Sequence, residues 1–228
     1  MPRKNKFTLT RGVHRPSCWN LKPIQPVVIV ADNSPSMLKE KAEQAAAAIQ
    51  DILNLLALKA NKDGFYAAVV YFARIAIEVH QLALASRIKD RLSPFSEQLY
   101  DIGYTNITAG LEQALQIVNE FKAHPPVSDA HYLEPVVILF TDGNHNKGNL
   151  PHETARELKR VADLVTVSLG DDADDELLRD LATSSQHFCR CATGRELREF
   201  LFDVGKTLCK TRSAGLNATA SLKEITRQ

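Results

Sequence analysis

Residues 26–37 read Pro-Val-Val-Ile-Val-Ala-Asp-Asn-Ser-Pro-Ser-Met, and this stretch decides how the rest of the chain is read. Val27 to Ala31 is an unbroken apolar run, mostly β-branched. A strand with one wet face alternates polar and apolar residues. An unbroken run is buried on both faces, as in a parallel sheet covered by helices. The run then stops at Asp32, Ser34 and Ser36, so small oxygen-bearing side chains fall where a strand hands over to a helix.

Downstream, residues 37–59 are Ala-rich, with Ile49, Ile52, Leu53 and Leu56 at helical spacing. Gly64 breaks that helix, and Tyr66 to Phe72 is the next buried strand. Ile75 to His80 alternates, as an edge strand paired with its predecessor does. Residues 85–102 form a polar stretch with a short helix, Thr105 to Phe121 a long helix, and 124–134 a loop. Val136 to Phe140 is again wholly apolar and reads as a strand. A helix over Thr154–Ala162, a strand over Leu164–Leu169 and a helix over Asp174–Thr183 follow. The pattern closes with a strand over His187–Cys191 and a helix over Arg195–Lys210. Strands alternating with helices specify an α/β fold: a Rossmann-like three-layer α/β/α sandwich, its sheet mostly parallel with one antiparallel edge strand. The domain is expected over 25–210, between a basic arm (1–24) and a polar C-terminal tail (211–228) whose end is loose. The arm carries Arg3, Lys4, Lys6, Arg11, Arg15 and Lys22 and no acid. It is a solvated extension, unless Phe7, Val13, Cys18 and Trp19 pin it to the body or to a partner.

Bulk composition removes several function classes. Lys and Arg total 28 against 27 Asp and Glu, so no net field draws the chain to nucleic acid or to an acidic membrane. No apolar run approaches the roughly 20 residues that span a bilayer. The basic start lacks the apolar core of a secretory signal, and four unevenly spread cysteines make no disulfide framework. The expectation is a cytoplasmic protein, with a bacterial source fitting as well as any other.

In open α/β sheets, ligands bind beyond the carboxyl ends of the strands. Three loops there carry oxygen donors: Asp32-Asn33-Ser34-Pro35-Ser36, Gly103-Tyr104-Thr105-Asn106 and Thr141-Asp142-Gly143-Asn144. Asp32, Ser34, Ser36, Thr105 and Asp142 together offer two carboxylates and three hydroxyls, with neither Cys nor His among them. Such a hard donor set suits Mg²⁺ or Mn²⁺ at about 2.0–2.2 Å with water completing the shell, and argues against zinc. Two carboxylates balance the ion's charge. If one acts through water, the ion still seeks an acidic oxygen from outside. Asn33, Tyr104, Asn106 and Asn144, beside the donors, are the candidate partner-facing residues.

These residues resemble the metal-ion-dependent adhesion site (MIDAS) of von Willebrand factor A (VWA) domains. That pattern is Asp-x-Ser-x-Ser after the first strand, a Thr in a glycine-containing loop, and an Asp after a later strand, usually as Thr-Asp-Gly. Asp32, Ser34 and Ser36 match the first element, Thr105 the second and Asp142 the third, and the resemblance covers roughly residues 24–210. It implies a metal-dependent, non-enzymatic module that recruits an acidic side chain of a protein partner. Within the family the chain looks most like bacterial proteins of the tellurite-resistance type, whose associates are kinase- and phosphatase-like proteins in stress or defence systems. A role beside an AAA+ ATPase is a further implication. Two departures stand out: Pro35 lies where the family commonly has Gly, and Tyr104 replaces a frequent Gly. Thr108 rivals Thr105 but falls inside the helix.

Other features have ordinary readings. The acidic run 171–176 suits capping of a helix start. Cys189 and Cys191, two apart on one strand face, suit the core, and His145 suits a solvated loop. Two other functions remain open: a scaffold that binds partners without metal, and a Mg²⁺-dependent phosphohydrolase. The second needs a nucleophilic Asp beside a general acid and a phosphate-steadying base. Asp32 instead has Asn, Ser and Pro as neighbours, with Lys39 taken as the nearest base.

Overall fold

The computed structural model describes residues 23–37, 40–61, 63–91 and 104–225. The basic arm up to Lys22, Lys39 and Gly103 lie outside the described residues. Six strands form one sheet: β1 (Gln25–Asp32), β2 (Phe65–Phe72), β3 (Ala76–Leu84), β4 (Val136–Thr141), β5 (Asp163–Leu169) and β6 (Phe188–Cys191). Their spatial order is β3-β2-β1-β4-β5-β6. Only the β2–β3 pair is antiparallel; all other neighbours run parallel.

The unbroken apolar runs are explained by what covers them. Every residue of β1 and of β4 is buried. Successive residues of a strand point to opposite faces, and each face of β1 has its own layer of helices. Val27, Ile29 and Ala31 pack with Ile49, Ile52 and Leu53 of α1 (Glu40–Leu56) and Leu197, Leu201 and Val204 of α6 (Gly194–Ala214). Val28 and Val30 face Ile107, Leu111 and Ala114 of α3 (Ile107–Ala123) on the other side. That second layer also holds Leu158 of α4 (His152–Leu158) and Leu178 of α5 (Asp175–Leu181). A short α2 (Ala85–Ile88) follows β3. The three-layer α/β/α sandwich expected from the sequence is the one formed, and no described helix is long and apolar enough to cross a membrane.

Element ends differ in detail. The first long helix starts at Glu40 rather than at residue 37, because Pro35–Met37 forms a separate 3-10 turn closed by Met37 N–H donating to Ser34 O at 3.0 Å. Residues 211–228 were expected as a polar tail, and over 211–225 this is corrected. The amphipathic period of α6 carries on to Ala214, where Gly215 ends it in the left-handed conformation (φ 71°). A further helix, α7 (Thr219–Ile225), then docks on the body. Leu222 is buried, and the Thr219 hydroxyl donates to Asp163 Oδ2 at 2.6 Å.

The order of strands fixes where a ligand can go. From β1 the chain proceeds to β2 on one side, and returns to β4 on the other. The loops leaving β1 and β4 therefore diverge to opposite faces, opening a crevice between their carboxyl ends. Asp32 ends β1, and Asp142 follows the last residue of β4.

The other end of β1 is held by a buried cation. Arg212 of α6 is fully buried; its Nη1 donates to Pro23 O at 3.1 Å and its guanidinium lies 5.0 Å from the centroid of the Phe65 ring. Gly64 makes room for it, since a Cβ there would sit 2.0 Å from Arg212 Nη1 and 2.2 Å from Cζ. Gly64→Ala must push the guanidinium out of its slot, and overpacking together with a displaced buried charge should cost about 3 kcal/mol. Urea unfolding measures this; a loss below about 0.5 kcal/mol would show that Arg212 does not depend on that slot.

Candidate metal site at the β1–β4 crevice

The site is built from the two buried acids outward. Asp32 is fully buried. Its Oδ1 accepts the Ser34 backbone N–H at 2.7 Å, and its Oδ2 accepts the Thr141 hydroxyl. Thr141 Oγ1 in turn accepts the Gly143 N–H at 3.1 Å, so β4 and the loop after it are tied to the end of β1. Burial dominates the titration of Asp32 and pushes its pKa up to about 6, with the neighbouring Asp142 carboxylate adding to the rise. The hydrogen bonds from Thr141 and Ser34 oppose this without cancelling it.

Asp142 is also fully buried. Its Oδ1 accepts the Ser36 hydroxyl at 2.6 Å, and Ser36 Oγ lies 2.9 Å from Ser34 Oγ. Its other oxygen, Oδ2, accepts from the Lys41 ammonium at 2.6 Å. Thr105 reaches the same place from the third loop. Its N–H donates to Asn146 Oδ1 at 2.9 Å, and its carbonyl accepts the Asn146 N–H at 3.1 Å. A Cβ on Gly143 would stand 3.2 Å from Thr105 Oγ1 and 3.8 Å from Ser36 Oγ, so the glycine leaves open a space toward which both hydroxyls converge. A cavity of about 240 Å³ occupies this position; Ser34, Ser36, Thr105, Asp142 and Gly143 are among its lining residues.

The structure brings the five oxygen-bearing residues together at the ends of β1 and β4. Four of them line the cavity, and Asp32 sits behind them as the acceptor that fixes the loop. Pro35 fits because it opens the 3-10 turn, where its fixed φ suits the backbone and no donor is needed. Thr108 is occupied elsewhere: its hydroxyl donates to Asn149 O inside α3's contact with the loop. Among the described residues no three His, Cys, Asp or Glu side chains cluster to hold an ion, so a cation here requires the hydroxyls as donors.

The residues expected to face a partner differ in where the structure places them. Asn33 is fully buried, with its N–H donating to Phe72 O at 2.7 Å, because the strand-like backbone there turns its side chain inward. Asn106 caps α3: its Oδ1 accepts from Ala109 N at 3.2 Å and its Nδ2 donates to Arg74 O at 3.1 Å. Tyr104 is half-buried, with the Lys147 ammonium 4.8 Å from its ring centroid, and is not among the cavity-lining residues. Asn144 is exposed at the rim, tied to Asp172 O at 2.9 Å. His145 also has a structural task, since its Nδ1 accepts the Ile107 N–H at 3.2 Å at the start of α3.

Sequence reading missed four residues. Thr141 and Asn146 brace the donors; Thr141 precedes Asp142 directly and was legible as a strand-end hydroxyl. Asp172 joins the rim from the loop after β5. Lys41 is the base found on a site carboxylate among the described residues, which do not include Lys39. The acidic run divides as capping required: Asp174 caps α5 through Leu177 N at 2.9 Å, and Asp171 pairs with Arg190 at 2.8 Å. Cys189 and Cys191 do share a strand face, 4.0 Å apart at sulfur.

The brace at Asp32 is open to test. Thr141→Val keeps the shape of the side chain but leaves a buried carboxylate oxygen and the Gly143 N–H without their partner. A loss of about 2 kcal/mol in chemical denaturation is expected, and an unchanged midpoint would show that the hydroxyl does not hold the two strand ends.

Comparison with known proteins agrees with this geometry. Solved structures similar to the chain include proximal thread matrix protein 1 from the mussel byssus with a zinc-occupied MIDAS motif, at 25% identity and a TM-score of 0.64. The match covers 82% of this chain and 46% of that one. A von Willebrand factor type A protein from Catenulispora acidiphila matches at 19% identity and a TM-score of 0.63, over 84% of this chain and 43% of that one. The von Willebrand factor domain of the type V pili tip protein Mfa5 from Porphyromonas gingivalis matches at 14% identity and a TM-score of 0.63, covering 82% of this chain and 96% of that one. The chain thus spans less than half the length of the first two, and the last two show a shared fold alone. The von Willebrand factor type A domain family itself matches residues 27–202. Its motif residues stand at the β1–β4 crevice, and the chain belongs to the von Willebrand factor type A domain family.

Proposed function

We propose that this chain is a divalent-cation-dependent protein-binding module, with Mg²⁺ or Mn²⁺ as the ion and an acidic side chain of a protein partner as the group it recruits. One observation carries the reading: oxygens from three loops, distant in sequence, meet around one cavity that Gly143 keeps open. Ser34, Ser36, Thr105 and Asp142 would hold the ion, with Asp32 fixing the loop behind them. The ion would supply an electrophilic position, and the exposed rim leaves it approachable by a carboxylate from outside.

The same geometry supports a binding role over a chemical one. A phosphohydrolase needs an aspartate oxygen free to attack. Asp32 is fully buried with both oxygens engaged, and both Asp142 oxygens accept from Ser36 and Lys41.

Thermal denaturation with increasing Mg²⁺ tests the metal. An ion at a hundred times its Kd stabilises by about 2.7 kcal/mol, or roughly 5–10 °C for a domain of this size. Ser36→Ala should remove most of that gain, and its metal-free midpoint should also fall, because buried Asp142 loses a hydrogen-bond donor. Mn²⁺ should act like Mg²⁺; a gain seen with Zn²⁺ alone would point to a softer site than the oxygen set implies. No gain with any of the three ions would favour a scaffold that binds without metal. The partner is tested by capture from source lysate in Mg²⁺ and in EDTA, followed by mass spectrometry. Protein recovered only with Mg²⁺ is the expected outcome, and its identity checks the kinase-, phosphatase- or AAA+-type associates of a bacterial stress or defence system. Equal recovery in EDTA would refute metal-dependent recruitment.

A further inference from the structure

One carboxylate that lines the cavity already has a cation of the protein's own. Lys41, in the first turn of α1, places its ammonium 2.6 Å from Asp142 Oδ2. It also lies beside the start of the loop after β5, where a Cβ on Gly170 would be 3.7 Å from its Nζ. The carboxylate it holds is one of the proposed ion ligands. Lys41 reaches the site through this carboxylate and not as a lining residue, and among the described residues no Lys or Arg lines the cavity itself.

We propose that Lys41 is a resident competitor for the divalent ion: its ammonium balances Asp142 in the metal-free protein, and its charge sets how weakly the ion binds. The inference rests on the metal-binding reading above. Asp32 and Asp142 bring two negative charges to a buried place, and Lys41 returns one positive charge. With a divalent ion added, the site changes from a net charge of about −1 to about +1. The repulsion between ammonium and ion weakens binding, and the surplus positive charge favours an anionic group arriving from outside.

The burial of the two partners makes this competition reversible. The Asp142 side chain is 0% exposed, whereas that of Lys41 is 37% exposed. The ammonium can therefore trade its contact with Asp142 for water along its flexible stem. The carboxylate cannot; it must always face a cation or hydrogen-bond donors. A lysine here would keep the empty site folded without sealing it.

Isothermal titration of the full chain with Mg²⁺ tests the proposal on wild type, Lys41→Met and Lys41→Arg. Lys41→Met should bind Mg²⁺ about ten-fold or more tightly than wild type, and Lys41→Arg, which keeps the charge, within about three-fold of it. The metal-free melting midpoint of Lys41→Met should fall, because Asp142 loses its cation, and Mg²⁺ should restore more than the wild-type gain. Should Lys41→Met be unfolded without metal, refolding in millimolar Mg²⁺, followed by circular dichroism, reads the same competition and is the supporting result; failure to refold overturns it. Wild type binding Mg²⁺ with Lys41→Met equal or weaker would overturn the role of Lys41 alone. Absence of binding in all three proteins would overturn the metal-binding reading, and the role of Lys41 with it.

Discussion

Two carboxylates buried at the ends of adjacent strands set the terms for the rest of this molecule. Asp32 and Asp142 are both fully buried, and each must be stabilised by what surrounds it, because an uncompensated buried charge costs several kcal/mol. The surroundings answer that need group by group: a backbone N–H and the Thr141 hydroxyl for Asp32, the Ser36 hydroxyl and the Lys41 ammonium for Asp142. Even so, burial leaves the Asp32 carboxyl at a pKa of about 6. Two buried carboxylates set against one ammonium leave net negative charge that a divalent cation can offset, and that surplus is the physical basis of the proposed function.

The fold exists, in this view, to bring those strand ends together. Parallel pairing of β1 with β4 sets Ala31 beside Phe140, one residue before Asp32 and two before Asp142. Helices leaving to opposite faces then open the crevice. The Asn106 cap and the His145 acceptor fix the start of α3, which keeps Thr105 at the rim. Asn144 and Asp172 close the side toward β5.

Much of this was legible in the sequence because it is written in local patterns. Burial on both faces forces unbroken apolar runs, so Val27–Ala31 and Val136–Phe140 announced a parallel sheet. Donor residues at strand ends stand within a few positions of those runs, which made Asp32, Ser34, Ser36, Thr105 and Asp142 readable together. What escaped depends on distance in the chain or on the direction of a single side chain. Lys41 and Asp142 are 101 positions apart, and no periodicity joins a helix turn to a distant strand end. Asn33 and Asn106 sit among the donors in sequence, yet the backbone turns one into the core and the other onto its helix. The C-terminal stretch looked polar because Arg212 is charged, while in the structure its guanidinium is buried beside Phe65 and Gly64. Composition reads a charged residue as surface; packing decides otherwise.

Anomalous diffraction from crystals grown in Mn²⁺ tests the central claim most directly. A single strong anomalous peak between Ser34, Ser36, Thr105 and Asp142 is the result this account predicts. A cavity without a peak at saturating Mn²⁺, with the Lys41 ammonium still seated on Asp142, would contradict it.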